Sequence, residues 1–109
     1  MITITFIQNH DGKQLGFSSV GHAEYAEAGL DIICAGVSAL VINTINSIEE
    51  FTSAEFDLNT EQETGEISFL LHKPASDDVD LLIRSLILGL KGIQKDYGDE
   101  YLVLDFKEV

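Results

Sequence analysis

The sequence predicts an α+β fold: one domain over residues 1–109, with a mostly antiparallel sheet of about five strands and two helices on one face. Two observations carry this prediction. Several short segments alternate apolar and polar side chains, which is typical of half-buried strands, and two longer segments have apolar residues at helical spacing. These segments follow one another in the order ββαββαβ. Helices that stand between pairs of strands favour a single helical layer against the sheet.

The first strand is predicted at residues 2–7, where isoleucine and phenylalanine alternate with threonine. An Asp-Gly pair at residues 11–12 is typical of a hairpin turn, so residues 14–20 are expected to form the returning strand. The next stretch, residues 21–30, contains two glycines and several alanines. It is compatible with a short helix or with a mobile loop.

The first long helix is expected to begin at Asp31, because this residue type is favoured at the N-cap and precedes a run with helical periodicity. Its apolar stripe is expected to pack on the sheet. The stripe consists of Val37, Leu40, Val41, Thr44, Ile48 and Phe51.

Two further strands are predicted at residues 53–59 and 66–72, separated by a polar, acidic turn. Pro74 blocks continuation of the second of these strands, and Ser76 is expected to be the N-cap of the second helix. A last strand is predicted at residues 101–106. The core face of the second helix is predicted to consist of Val79, Leu82, Ile83, Leu86, Leu90 and Ile93.

The charge balance argues against direct binding of nucleic acid. The formal net charge is −13, and the six basic residues are scattered, whereas phosphate contacts need clustered lysine and arginine. An acidic surface attracts basic partners, although solubility alone explains it equally well. No membrane partner is expected, since no apolar run approaches the length of a span. The N-terminus does not resemble a signal peptide, so a cytoplasmic protein is expected.

The candidate catalytic residue is Cys34. Because it is the one cysteine of the chain, an intramolecular disulfide is excluded. With Asp31 as N-cap, Cys34 is the third helical residue, near unpaired N–H groups and the positive end of the helix dipole. That environment favours the thiolate, which is the reactive form. By helical angle Cys34 lies beside the apolar stripe, near Ser38, and partial exposure is expected.

His22 precedes Cys34 by twelve positions, so an intervening loop that folds back would bring the imidazole to the thiol. An imidazole within hydrogen-bonding distance can take the thiol proton and later protonate a leaving amine. Asp31 is expected to cap the helix, to orient the imidazole, or both. From these residues alone, a packed cysteine and a turn histidine explain the pattern about as well as catalysis does.

No metal or other cofactor is expected. His10 and His72 have no cysteine or histidine partner at the spacing of metal ligands, and glycine-rich phosphate loops are absent from the sequence.

The run from Gly21 to Leu40, G-H-A-x-Y-A-x-x-G-x-D-I-I-C-A-G-V-S-A-L, resembles the signature of the ribosomal-processing cysteine protease family, called Prp. The chain length and the order of elements resemble the family as well. The resemblance implies that Cys34 and His22 are catalytic and that Asp31 and Ser38 support them. It also implies a mobile substrate loop, for which Gly21 and Gly29 are suitable hinges.

The function implied by this resemblance is removal of the N-terminal extension of a bacterial large-subunit ribosomal protein, by a homodimeric enzyme without a cofactor. Such a precursor is basic, which suits the acidic surface. Cys34 would attack the scissile carbonyl, His22 would move the proton, and N–H groups at the helix start would hold the oxyanion. The rival hypothesis is a non-enzymatic acidic module that binds a basic ribosomal or assembly partner.

The second helix offers a candidate dimer contact. Leu81 and Leu88 fall opposite its core stripe and two turns apart, with Ser85 and Gly92 alongside. Two leucines among small residues on a helix back face suggest an apolar surface that a second copy would cover.

Overall fold

The computed structural model describes residues 1–21 and 28–109, and for residues 28–31 it describes the backbone alone. The order ββαββαβ is confirmed. The elements are β1 (Ile2–Gln8), β2 (Gln14–Val20), α1 (Ala28–Phe51), β3 (Phe56–Glu61), β4 (Glu66–Leu71), α2 (Asp77–Tyr97) and β5 (Leu102–Glu108).

The five strands form one sheet in the order β3-β4-β2-β1-β5. Three neighbouring pairs are antiparallel, and β1 pairs with β5 in parallel, with Ile2 opposite Leu102. The sheet is therefore mixed, although mostly antiparallel as predicted. The parallel pair arises because α2 carries the chain back along the sheet before β5 begins, the crossover that parallel strands require.

The core lies between one face of the sheet and the two helices. In β1 the side chains of Ile2, Ile4 and Phe6 are buried, while the threonines between them are partly exposed. Buried residues from α1 and α2 join the same apolar cluster. Stacked and tilted phenylalanine rings continue it across the sheet, through Phe6, Phe17, Phe69 and Phe56.

The two helices pack closely and antiparallel. A Cβ added to Gly36 in α1 would lie 3.3 Å from Ile93, and one added to Gly89 in α2 would lie 3.0 Å from Leu40. Later residues of α1 therefore meet earlier residues of α2. It follows that the first turns of α1 lie beside the last turns of α2, at the end of the sheet where β2 finishes.

The start of α1, the start of β3 and the burial of Phe51 differ from the predictions. The helix α1 begins at Ala28, so Asp31 lies inside it and is not its N-cap. Phe51, predicted to be in the core, is 76% exposed because it is the last residue of the helix. Thr52 still donates its backbone N–H and its hydroxyl to the Ile48 carbonyl, so β3 begins only at Phe56.

The sequence led us to expect no segment that is long and apolar enough to span a membrane, but α1 contains one. Over Ile32–Phe51 the mean hydropathy is 1.5, which passes such a test. Yet this helix buries Ile33, Val37 and Val41 in the core cluster. A helix with one face in a domain core passes the same test, and α1 is such a helix.

Candidate active site

Cys34 lies in the second turn of α1, as its seventh residue. The side chain is partly exposed and packs against the edge of the apolar core, as the helical angle predicted. Ser38 follows one turn later, where residues four apart share a face of the helix, and it is exposed. Cys34 therefore combines a position fixed by a long core helix with access from outside.

The start of α1 at Ala28 changes the predicted electrostatics of the thiol. Cys34 lies about 9 Å along the helix axis from that start, at 1.5 Å per residue. The N–H groups without intrahelical partners belong to the first turn, whereas the N–H of Cys34 belongs to the helical ladder. The predicted oxyanion site among unpaired N–H groups beside Cys34 is therefore wrong, and so is the predicted placement of the thiol at the helix terminus.

The other predicted site residues are placed only in part. His22 lies outside the described residues. The backbone of Asp31 and Gly29 belongs to α1, so the connection between β2 and α1 ends before Ala28 and is shorter than residues 21–30. Positions 31, 34 and 38 share one face of the helix, because they are three and four residues apart.

Gly21, which precedes His22 in the chain, contacts the turn between β3 and β4 on one side and Met1, the residue before β1, on the other. Its backbone has a φ of +101°, a conformation that side-chain-bearing residues rarely adopt. Its N–H donates to the Thr64 carbonyl at 3.3 Å. A Cβ at this position would lie 2.3 Å from the carbonyl oxygen of Met1, so only glycine fits.

The end of the sheet near the start of α1 is acidic. Glu61 and Glu66 face each other across the β3–β4 pair, and Asp99 and Glu100 lie between α2 and β5. Like charges at directly opposed strand positions destabilise the sheet, so this pair costs some stability. The acidic turn predicted from the sequence therefore lies at the same end of the molecule as Gly21.

A concave region lies at the end of the sheet opposite to Gly21, with a cavity of about 420 Å³. His72 lines it, and its Nε2 lies 3.0 Å from Asp57 while its Nδ1 lies 3.6 Å from Glu55. The hydrogen bond to Asp57 raises the pKa of His72 above 6.5, and the two carboxylates favour the imidazolium. Cys34 is not among the residues that line this region, so it is a poor candidate for the chemistry of the thiol.

Sequence reasoning did not foresee the contacts of His72 and Gly21. The contacts of His72 could have been inferred from the pairing of β3 with β4. Glu55, just before β3, and Asp57, within it, are two residues apart and therefore lie on the same face, opposite the end of β4. The contact of Gly21 with Met1 had no local signal, since the two residues meet only in the sheet. Among the side chains that the structure describes, those of residues 1–21 and 32–109, no three from His, Cys, Asp or Glu gather as a metal site would require.

Comparisons with known proteins agree with this arrangement. The family model for cysteine protease Prp matches residues 1–102. The ribosomal processing cysteine protease Prp of Staphylococcus aureus (strain Mu50) is 31% identical over 98% of this chain and 100% of its own length. That of Bacillus subtilis (strain 168) is 35% identical over 94% and 96%, respectively.

Solved structures agree as well. A crystal structure of the S. aureus protease with a covalently linked product peptide superposes with a TM-score of 0.87, at 31% identity, over 98% of this chain and 100% of that chain. The complex of that protease with a substrate peptide gives a TM-score of 0.89 at 30% identity, with the same coverage. These likenesses favour an enzyme over the rival acidic binding module. The chain belongs to the cysteine protease Prp family and is a cysteine protease.

Proposed function

We propose that Cys34 is the nucleophile and His22 the acid–base partner of this protease, and that residues 1–109 act as one catalytic domain. The observation that carries the proposal is the position of Cys34, the one cysteine of the chain, partly exposed on a helix that the core holds in place. A thiol nucleophile needs both access and a fixed direction of approach.

The reaction follows ordinary thiol chemistry. The imidazole of His22 takes the proton of the Cys34 thiol, and Sγ forms a bond to the scissile carbonyl carbon. The C–N bond breaks as the imidazolium returns the proton to the leaving amine, which leaves a thioester. Water, deprotonated by the same imidazole, attacks the thioester carbonyl carbon, and the C–S bond breaks to release the acid product. The imidazolium then returns its proton to the thiolate, which regenerates the thiol. Asp31 and Ser38 support this step by orienting the imidazole or the peptide.

The substrate we propose is the precursor of a basic large-subunit ribosomal protein, from which the N-terminal extension is removed in the cytoplasm. The names of the S. aureus and B. subtilis relatives support this substrate. So does charge, because Glu61, Glu63 and Glu66 lie at the end of the sheet from which the chain leads to α1. An acidic surface speeds encounter with a basic partner. The proposal involves no direct contact with nucleic acid or membrane.

The experiment is incubation of purified protein with the ribosomal precursor, with the product masses read by mass spectrometry. Cys34→Ala and His22→Ala are each expected to abolish processing while the far-UV spectrum stays unchanged. His72→Ala is the matched control, since this histidine lies at the opposite end of the sheet and is expected to leave the rate unchanged. Processing at a near wild-type rate by either Cys34→Ala or His22→Ala would contradict the assignment.

We further propose that the enzyme is a homodimer through α2. Leu81 and Leu88 are 61% and 75% exposed, as the sequence predicted, and they line a shallow apolar groove with Arg84, Ser85, Ile87 and Lys91. In a twofold interface the same patch faces itself, so it must be self-complementary.

The charges of α2 support an antiparallel pairing of two copies. A twofold axis between Arg84 and Ser85 brings Leu81 of one copy opposite Leu88 of the other. The same axis brings Lys91 level with Asp77 and Asp80 of the other copy. All three of these charged residues lie on the same side of the leucine row as Arg84, by helical angle. Opposite charges therefore meet at both ends of the contact, which stabilises this register.

A further inference from the structure

The charges of this chain are unevenly distributed, and the sheet edge formed by β3 lies in the part without permanent cations. No lysine or arginine occurs between Lys13 and Lys73, a stretch that includes β2, α1, β3 and β4. The six cations lie in the β1–β2 turn, just after β4, in α2 and on β5. Residues 49–66 alone contain seven carboxylates. This side of the molecule therefore attracts basic partners and repels acidic ones.

One side of the β3 backbone is open, because β4 is the only strand beside it in the sheet of described residues. The N–H of His72 donates to the carbonyl of Glu55, which fixes the alternation along β3. Odd-numbered residues therefore direct their backbone groups to β4, and even-numbered residues direct theirs away from the sheet. The residues with outward backbone groups are Phe56, Leu58 and Thr60. Such a row of N–H and C=O groups can pair with another extended chain.

The two faces of β3 offer different side chains at this edge. The face turned away from the helices carries Asp57, Asn59 and Glu61, and all three are exposed. On the helical face, Leu58 lies opposite the buried Phe69 and is itself 45% exposed. A strand added to β3 would therefore have one face against carboxylates and the other against an apolar side chain.

A second copy of β3 does not fit this edge. If two copies pair antiparallel with matching faces, odd-numbered residues stand opposite odd-numbered residues. A twofold axis at Asn59 then places Asp57 opposite Glu61. An axis at Leu58 places Glu55 opposite Glu61. Like charges thus destabilise both central registers, whereas lysine or arginine in the added strand would stabilise them.

We infer that the open edge of β3 binds the basic segment of the precursor that follows the scissile bond, as an added antiparallel strand. This inference rests on the proposed function, because it names the part of that substrate that is held here. Ile67 pairs with both Ser19 and Thr60, so β3 finishes where β2 finishes and α1 begins. Cys34 is in the second turn of α1. The chain beyond the scissile bond runs away from this end, opposite in direction to β3, which is the antiparallel sense.

The side chains of β3 specify the sequence of the bound segment. In the order that leads away from the scissile bond, a basic residue lies beside Glu61, an apolar residue beside Leu58 and a second basic residue beside Asp57. The recognised pattern is therefore two basic residues four positions apart, with an apolar residue directly before the second. The first cation also offsets the repulsion between Glu61 and Glu66, which face each other across the β3–β4 pair.

Amide hydrogen exchange measured by NMR tests this contact directly. The probe is an acetylated and amidated peptide that contains the sequence Lys-Thr-Thr-Val-Lys. The outward amides of Leu58 and Thr60 are expected to exchange fast in the free protein and at least about tenfold more slowly with saturating peptide. The same peptide with glutamate in place of both lysines is the matched control and is expected to leave these rates unchanged. Unchanged exchange at Leu58 and Thr60 with the lysine peptide would overturn the inference.

Cleavage kinetics test the role of this edge in substrate binding, with the ribosomal precursor compared with a short peptide that ends before the basic segment. Glu61→Lys is expected to raise the ratio of KM for the precursor to KM for the short peptide by at least about threefold. High salt is expected to reduce this effect, because the charges are exposed. Asp105→Lys makes the same charge change on β5, the other edge strand, and is expected to keep the wild-type ratio.

A proline at Thr60 tests the backbone contribution separately from charge. The N–H of this residue points outward, and proline is tolerated at such edge positions, so the pairing of β3 with β4 is expected to remain. Thr60→Pro removes a donor to the added strand and is expected to raise the same ratio of KM values at low and high salt alike. If this variant does not fold, Glu61→Lys and the exchange measurement still decide the inference.

The outcomes separate this inference from the proposed function. Wild-type KM ratios in Glu61→Lys and Thr60→Pro, together with loss of cleavage in Cys34→Ala, would overturn the β3 contact and leave the proposed function standing. Equal increases in Glu61→Lys and Asp105→Lys would assign the effect to net charge and overturn the contact. No processing of the precursor by the wild-type protein would overturn the proposed function and this inference together.

Discussion

Replacing Leu81 and Leu88 by lysine is expected to convert the proposed dimer into monomers. Both side chains are more than half exposed on α2, and the proposed twofold contact buries them against each other. The double variant removes four leucines from each dimer and introduces four like charges at its centre. The fold is expected to stay intact, since the buried residues of α2 are Val79, Ile83, Leu86 and Leu90.

The size of the effect follows from the exposed fractions. Full burial of a leucine side chain stabilises by about 1.5–3 kcal/mol, so burying the exposed part of each leucine is worth about 1–2 kcal/mol. Four such side chains contribute roughly 4–8 kcal/mol to association. At 1.4 kcal/mol per factor of ten, their loss is expected to raise the dimer Kd by at least about a thousandfold.

Sedimentation equilibrium of the wild-type protein and the Leu81→Lys/Leu88→Lys variant measures this change. Ile42→Lys is the matched control, because Ile42 is 48% exposed on the other helix and lies outside the proposed contact. This control is expected to keep the dimer mass. An unchanged mass for the double variant, a monomeric wild-type protein, or dissociation of Ile42→Lys would each refute the α2 interface.

Two predictions concern titratable groups. The hydrogen bond that His72 donates to Asp57 raises the pKa of His72 above 6.5. The stabilising effect of this pair is therefore fully present below pH 6.5 and is lost as pH rises through the folded-state pKa of His72. Asp57→Asn is expected to return the pKa of His72 toward 6.5 in an NMR titration, and an unmoved titration would contradict the role of this pair. Because α1 begins before Asp31, Asp31→Asn is expected to keep the wild-type Tm and to lower the cleavage rate. Loss of Tm without loss of cleavage would instead assign Asp31 a purely structural role.

The strands and helices of this fold depend mainly on the spacing of apolar residues close together in the chain, and the sequence predicted most of them. Period-two alternation placed β1, β2 and β4 within one or two residues of their observed ends, because each buries one face on the helices. The core stripe of α2 was predicted from apolar residues at helical spacing, and Val79, Ile83, Leu86 and Leu90 are buried as predicted. The start of α1 was missed. Asp31 is a good N-cap type, but the helix continues upstream through Ala28, Gly29 and Leu30.

The sequence by itself determined the identity of the candidate nucleophile and its partial exposure, since a helical angle follows from spacing alone. It also determined that Leu81 and Leu88 lie outside the core. Only the tertiary structure decided that β5 pairs in parallel with β1, and that Met1 lies against Gly21. These contacts join residues far apart in the chain, and no periodicity encodes them. They form because the strands share one sheet, in which a residue's neighbours are set by strand order and register.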